Sequence, residues 1–147
     1  MLSNPNNLDL GDSTLEELDE KLKDARMILA RKTSQGGAPF YFSFCFRKEN
    51  ILSNISFEIK DKNNKIIDVW NTAATSGKEY YWHPDIIKIL NPFELSIFFR
   101  HETGHIILGH CDLNRIGKRN PQIWRIASDY TINAIIEHDL RTAGYLG

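Results

Sequence analysis

His101-Glu102-Thr103-Gly104-His105 decides how this chain is read. In an α-helix, side chains four apart share a face, and at about 100° per residue His101 and His105 stand roughly 40° apart around the axis. Both imidazoles can then reach one ion at the usual Zn–N distance of about 2.0–2.1 Å. Glu102, one step round, is poorly aimed as a ligand and well aimed as a base for water at that ion. The chemistry requires that the stretch be helical, and its flanks predict this. Asn91-Pro92-Phe93-Glu94 offers an N-cap, a proline at the first helical position and an acid in the first turn. Leu95, Phe98, Phe99, Ile106 and Leu108 then lead to Gly109, a helix stop.

A hydrolytic zinc needs a third protein ligand and one open position. His110 follows His105 by five residues, about 140° away on a continuous helix, so it returns to the ion only if the helix ends at Gly109. Asp129 stands in a second predicted helix, opened by Asn120-Pro121 and flanked by Trp124, Ile126, Ala127, Tyr130, Ile132 and Ile135. A carboxylate buried in so apolar a stretch needs a partner. Asp129 is the preferred ligand over His110, because a donor from a separate helix closes the site without bending the first. Asn133 shares the face of Asp129 and is expected to orient its carboxylate. Cys111 and Glu137 are further possible donors, and residue type alone offers Tyr80, Tyr81, Tyr130 and Arg115 to an oxyanion.

The remaining pattern reads as helix, sheet, then the two helices of the site. Ser13-Thr14-Leu15-Glu16 resembles a capping box, and Leu15, Leu18, Leu22, Met27 and Leu29 give an amphipathic helix to about Arg31. Phe40, Phe42, Phe44 and Phe46 alternate with Tyr41, Ser43 and Cys45; Ile51, Ile55, Phe57 and Ile59 alternate with Asn54, Ser56 and Glu58. Both segments predict strands. Ile66 to Trp70 and Glu79 to Trp82 predict shorter ones, with a turn at Asp61 to Lys65. The fold class is α+β: a small, mostly antiparallel sheet packed on the helix of His101. Residues 1–12 are expected to be a flexible tail and 13–147 a single domain.

Composition narrows the function classes. The 147 residues are 41% hydrophobic, enough for an ordinary core, and the net charge of −1 gives no argument for nucleic acid or an anionic membrane. Arg115, Lys118 and Arg119 form a small basic cluster that reads as a solvated connection between helices. Cys45 and Cys111 make no CxxC unit and are expected to be reduced thiols. No signal peptide or membrane span is visible, so cytoplasmic residence is expected.

Beyond the motif, Tyr81-Trp82-His83-Pro84-Asp85, Leu90, Arg100 to His105, His110, Arg115 and Trp124 to Asn133 together resemble the metallopeptidase domain family that commonly precedes a von Willebrand A-like domain. Thr72 to Gly77 and, more weakly, Pro39-Phe40 extend the similarity to roughly residues 20–147. His101 to His110 is also similar to ImmA/IrrE-type metallopeptidases, whose third ligand is an acidic residue on a later helix, which points again to Asp129. The resemblance implies a zincin-like fold in which a sheet edge holds an extended peptide above the metal. The expected protein is thus a zinc peptidase with one zinc per chain, held by His101, His105 and Asp129, with Glu102 as general base and a peptide or protein as substrate. The alternative is a metal-binding regulatory or interaction module without hydrolysis, although such a module has no use for Glu102.

Overall fold

The computed structural model describes residues 14–53 and 56–145. The expected tail, Ser13 of the expected capping box, and Asn54 and Ile55 lie outside the described residues. Helix α1 (Leu15–Leu29) starts where the Thr14 side chain accepts from the Glu17 amide, and it buries Leu18, Leu22, Ala25 and Leu29 on one face. Each of those leucines contributes about 1.5–3 kcal/mol by leaving water. A 3-10 turn (Thr33–Gln35) and the short helix α2 (Pro39–Phe42) follow.

The strand predicted at Phe40 to Phe46 is therefore corrected: this segment is α2 and the turn after it. Aromatics at every second position are also four apart, and here they meet between α2 and the turn that follows it. Phe40 and Phe44 contact edge to face at 5.4 Å and Phe42 and Phe46 at 4.9 Å. Pro39 lacks the N–H that a strand would use and suits the first helical turn. Cys45 faces the core, whereas Phe40 and Phe46 are exposed.

The strand expected across Ile51 to Ile59 is in fact two. Strand β1 (Lys48–Ile51) pairs in parallel with β5 (Glu79–Trp82), while β2 (Ser56–Lys60) forms an antiparallel hairpin with β3 (Ile66–Asn71). Strand β4 (Ala73–Thr75) pairs antiparallel with β5, so the order is β1-β5-β4 in one sheet and β2-β3 in the other. The three-stranded sheet is thus mixed, and β4 is one of its two edges. Both α+β character and the packing of a sheet on the central helix hold: Tyr80 and Trp82 of β5 share a core with Leu95 and Phe99 of that helix and with α1.

After α3 (Pro84–Ile89), helix α4 (Pro92–Ile107) carries the histidines. Its start is the N-cap expected at Asn91, here part of a capping box: the Glu94 amide donates to Asn91 Oδ1 and the Asn91 amide to Glu94 Oε1. Its end is the left-handed Gly109, with φ of 70°. A one-turn helix α5 (Leu113–Ile116) leads to α6 (Pro121–Thr142), capped by Asn120 Oδ1, which lies against α4 through Ile132, Ile136 and Leu140. Among the described residues no helix is long and apolar enough to cross a membrane.

Candidate metal centre

Helix α4 divides its faces. Leu95 and Phe99 enter the core, and the buried Thr103 hydroxyl pairs with the Tyr80 hydroxyl at 2.7 Å, which fixes the helix against β5. His101 and His105 point instead at α6. Their Nε2 atoms are 3.1 Å apart, and Asp129 Oδ1 lies 3.1 Å from the first and 2.9 Å from the second. Three donors bound to one ion at about 2.0–2.1 Å in tetrahedral directions stand about 3.3 Å from one another. The triangle in the protein is therefore of the size that a small divalent cation draws together.

The donor chemistry agrees. Asn133 Oδ1 lies 2.8 Å from His101 Nδ1; a carbonyl oxygen only accepts, so Nδ1 carries a proton, and in the neutral ring Nε2 turns a lone pair towards Asp129 Oδ1, whereas in the protonated ring it donates to it. Lone pairs facing one another at 3.1 Å repel unless a proton or a cation lies between them. Burial lowers the affinity of His101 for a proton, but the Asp129 hydrogen bond and the Glu102 charge more than reverse this and raise it. Burial pushes the Asp129 carboxyl up, but hydrogen bonds and charges from both histidines prevail and hold it well below the usual range. These residues can hold a metal ion.

His110 is also brought to the site, behind the His105 ring. The turn at Gly109 folds the chain back so that His110 Nδ1 lies 3.1 Å from His105 Nδ1, on the side of that ring away from Asp129. The indole of Trp124 donates to the His110 carbonyl at 2.9 Å and holds this return in place. Asn133 likewise orients a histidine, whereas the sequence had suggested Asp129 as its partner. Glu102 is 6% exposed; burial pushes its carboxyl up, against the downward pull of His101 and His105.

These residues line a cavity of about 950 Å³ together with β4 and its flanks, Thr72 to Ser76. The His83 amide donates to the Thr72 carbonyl and the Ser76 amide to that of Glu79, so even-numbered residues face β5. By the alternation of an antiparallel ladder, the backbone groups of Ala73 and Thr75 then face away from β5. Cys111 lines the same cavity, with its thiol 3.9 Å from the Thr75 carbonyl.

Other residues singled out in the sequence do not line it. Tyr80, bonded to Thr103 and pushed up to about 12 by burial, Tyr81, Tyr130 and Arg115 are absent from the lining. Glu137 pairs with Arg141 on α6 at 2.9 Å. The edge strand β4 went unnoticed in the sequence, and Ala73-Ala74-Thr75 carries no alternation that would have revealed it.

A family model described as a "putative metallopeptidase domain" matches residues 48–145. The chain belongs to that family. The matched stretch of this metallopeptidase family holds every residue of the cluster, from β4 to Asn133, and implies a metal ion there. No curated protein and no solved structure matches the chain.

Proposed function

We propose that the protein is a zinc-dependent peptidase of zincin-like design. The convergence of His101 Nε2, His105 Nε2 and Asp129 Oδ1 beside the buried Glu102 carries this reading. Two imidazoles and a carboxylate are a donor set suited to catalytic zinc, one ion per chain. When bound, such an ion supplies Lewis acidity that polarises a peptide carbonyl and makes water more acidic.

The chain's own residues do the rest. Asn133 and His110 occupy the Nδ1 sides of His101 and His105, which fixes the rings so that both Nε2 atoms converge. Glu102 takes a proton from the attacking water and returns it to the leaving amine. Its burial raises the proton affinity of the carboxylate, which makes Glu102 a stronger base towards that water. The outward N–H and C=O groups of Ala73 and Thr75 receive the main chain of an extended substrate by strand addition, which recognises a peptide without reading its sequence. The test is zinc content together with cleavage of a mixed peptide library by wild type and by Glu102→Gln. Zinc in both and cleavage in wild type alone is the expected result; a wild type that takes up no zinc overturns the reading.

A further inference from the structure

The two ends of β4 open onto unlike walls. The Thr72 end adjoins the start of α3, and there Ile86 with Ile97, Phe98 and Ile136 presents hydrocarbon. The Thr75 end adjoins Cys111 and, across the His110 turn, Trp124. Arg115 and Arg119 each place their guanidinium carbon 5.7 Å from the Trp124 ring centre. Between Ile106 and Ser128 the sequence carries Arg115, Lys118, Arg119 and Arg125 against one carboxylate, Asp112, which caps α5 through the Asn114 amide.

The fold therefore sets Arg115 and Arg119 against Trp124 of the cavity lining, where the sequence alone suggested only a solvated connection. Arg115 donates to the Leu108 carbonyl and Arg119 to the Arg115 carbonyl, so both are held by neutral backbone groups and the indole. Their charge stays available to an anion. Guanidinium groups fixed in this way bind carboxylates with little further loss of side-chain freedom.

Taking the peptidase reading as given, we propose that the substrate is an acidic peptide segment. An apolar side chain fills the Ile86–Phe98 end, and one or more carboxylates meet Arg115 and Arg119. Antiparallel pairing, the slightly stabler kind, sets the N-terminal part of the segment beside Thr75. The carboxylates thus precede the apolar residue, and at about 3.3 Å per residue the two walls meet side chains roughly two to four positions apart.

Fluorescein-labelled peptides of about ten residues test this. Each carries one Leu in a Gly-Ser-Ala background, with Asp-Glu, Asn-Gln or Lys-Lys about three positions before it, or Asp-Glu about three positions after it. Anisotropy titrations use the zinc-loaded Glu102→Gln protein, which binds without cleaving. The leading Asp-Glu peptide should bind about tenfold more tightly than the Lys-Lys one, and the advantage should shrink with added salt. In the Glu102→Gln background, Arg119→Glu should abolish or invert it, and the milder Arg119→Ala should reduce it with zinc content unchanged. Equal binding of Asp-Glu and Asn-Gln, a preference for Lys-Lys, a preference that survives Arg119→Glu, or no binding at all overturns the acidic-substrate inference. Tighter binding of the trailing Asp-Glu peptide overturns the antiparallel orientation. Zinc uptake and Glu102-dependent cleavage of the mixed library judge the peptidase reading separately.

Discussion

Gly104 and Ile132 meet where α4 passes α6: a Cβ on Gly104 would stand 3.2 Å from both Cδ1 and Cγ2 of Ile132. Ile132 is 1% exposed and lies three positions beyond Asp129 on α6. This contact sets the spacing between the helix bearing the two imidazoles and the helix bearing the carboxylate.

Gly104→Ala should therefore act on the metal more than on the fold. Alanine favours a helix interior by about 1 kcal/mol, which offsets part of the crowding. Pushing α6 away by a few tenths of an ångström spoils the donor triangle, so zinc affinity should fall about tenfold in a chelator competition. Adding Ile132→Val, which removes Cδ1 but keeps Cγ1 and Cγ2 at 3.3 and 3.2 Å, should recover only part of the loss. Unchanged affinity in Gly104→Ala would show that the helix spacing is not set here.

The donor roles predict a ranking. His101→Ala, His105→Ala and Asp129→Asn should lose zinc, with affinity down by more than about 100-fold. His110→Ala and Asn133→Ala, which remove groups behind the imidazoles, should lose about 10- to 100-fold. Equilibrium dialysis with elemental analysis checks it, and zinc-induced rises in Tm should follow the same order. A larger loss in His110→Ala than in Asp129→Asn would move the third ligand to His110.

Glu102→Gln separates proton transfer from coordination. It should keep zinc and the fold while slowing hydrolysis by about 10²- to 10⁴-fold, read by mass spectrometry of library cleavage. Undiminished cleavage would mean that another group is the base.

Opposite pH trends are expected with and without metal. The depressed Asp129 contributes stability present above the usual carboxylate pKa and lost as pH falls through its lowered value. The raised His101 contributes stability that is full below the usual imidazole value, about 6.5, and lost as pH rises through its raised one. The metal-free protein should thus have its highest Tm in weak acid and lose stability through neutrality. With zinc present the His101 proton must leave before the cation is held, so Tm should climb over the same interval. Parallel scans with chelator and with zinc would sink this if they ran in the same direction.

The two helices of the site were legible because each opens on Asn-Pro, a local signal that survives any tertiary context, and because the histidine spacing has meaning only on a helix. The sequence singles out Asp129 as a carboxylate to be buried in an apolar stretch; it is instead partly exposed, with Ile126 and Tyr130 beside it facing solvent, and what marks it is the reach of its carboxylate to His105 Nε2 at 2.9 Å. The aromatic run at Phe40 was misread because a period of two contains a period of four, and only Pro39 broke the tie. Strand β4 carries its information in an edge, which is a property of where β5 lies and not of Ala73, Ala74 or Thr75. The partnership of Asn133 with His101 likewise depends on how α6 is rotated against α4, which no single helix encodes.

The guanidinium of Arg100, next to His101 in the chain, is 3% exposed and donates to the carbonyls of Gly36 and Gly37 at 2.7 and 3.2 Å. Those glycines, and the α1 leucines packed on Leu95 and Phe99, precede the stretch that the family shares. A dissection at residue 48 would strip a cation of its acceptors and bare the back of α4 to water. Kinship and foldability thus have different borders in this chain: the smallest piece worth expressing begins at α1, well before the family match.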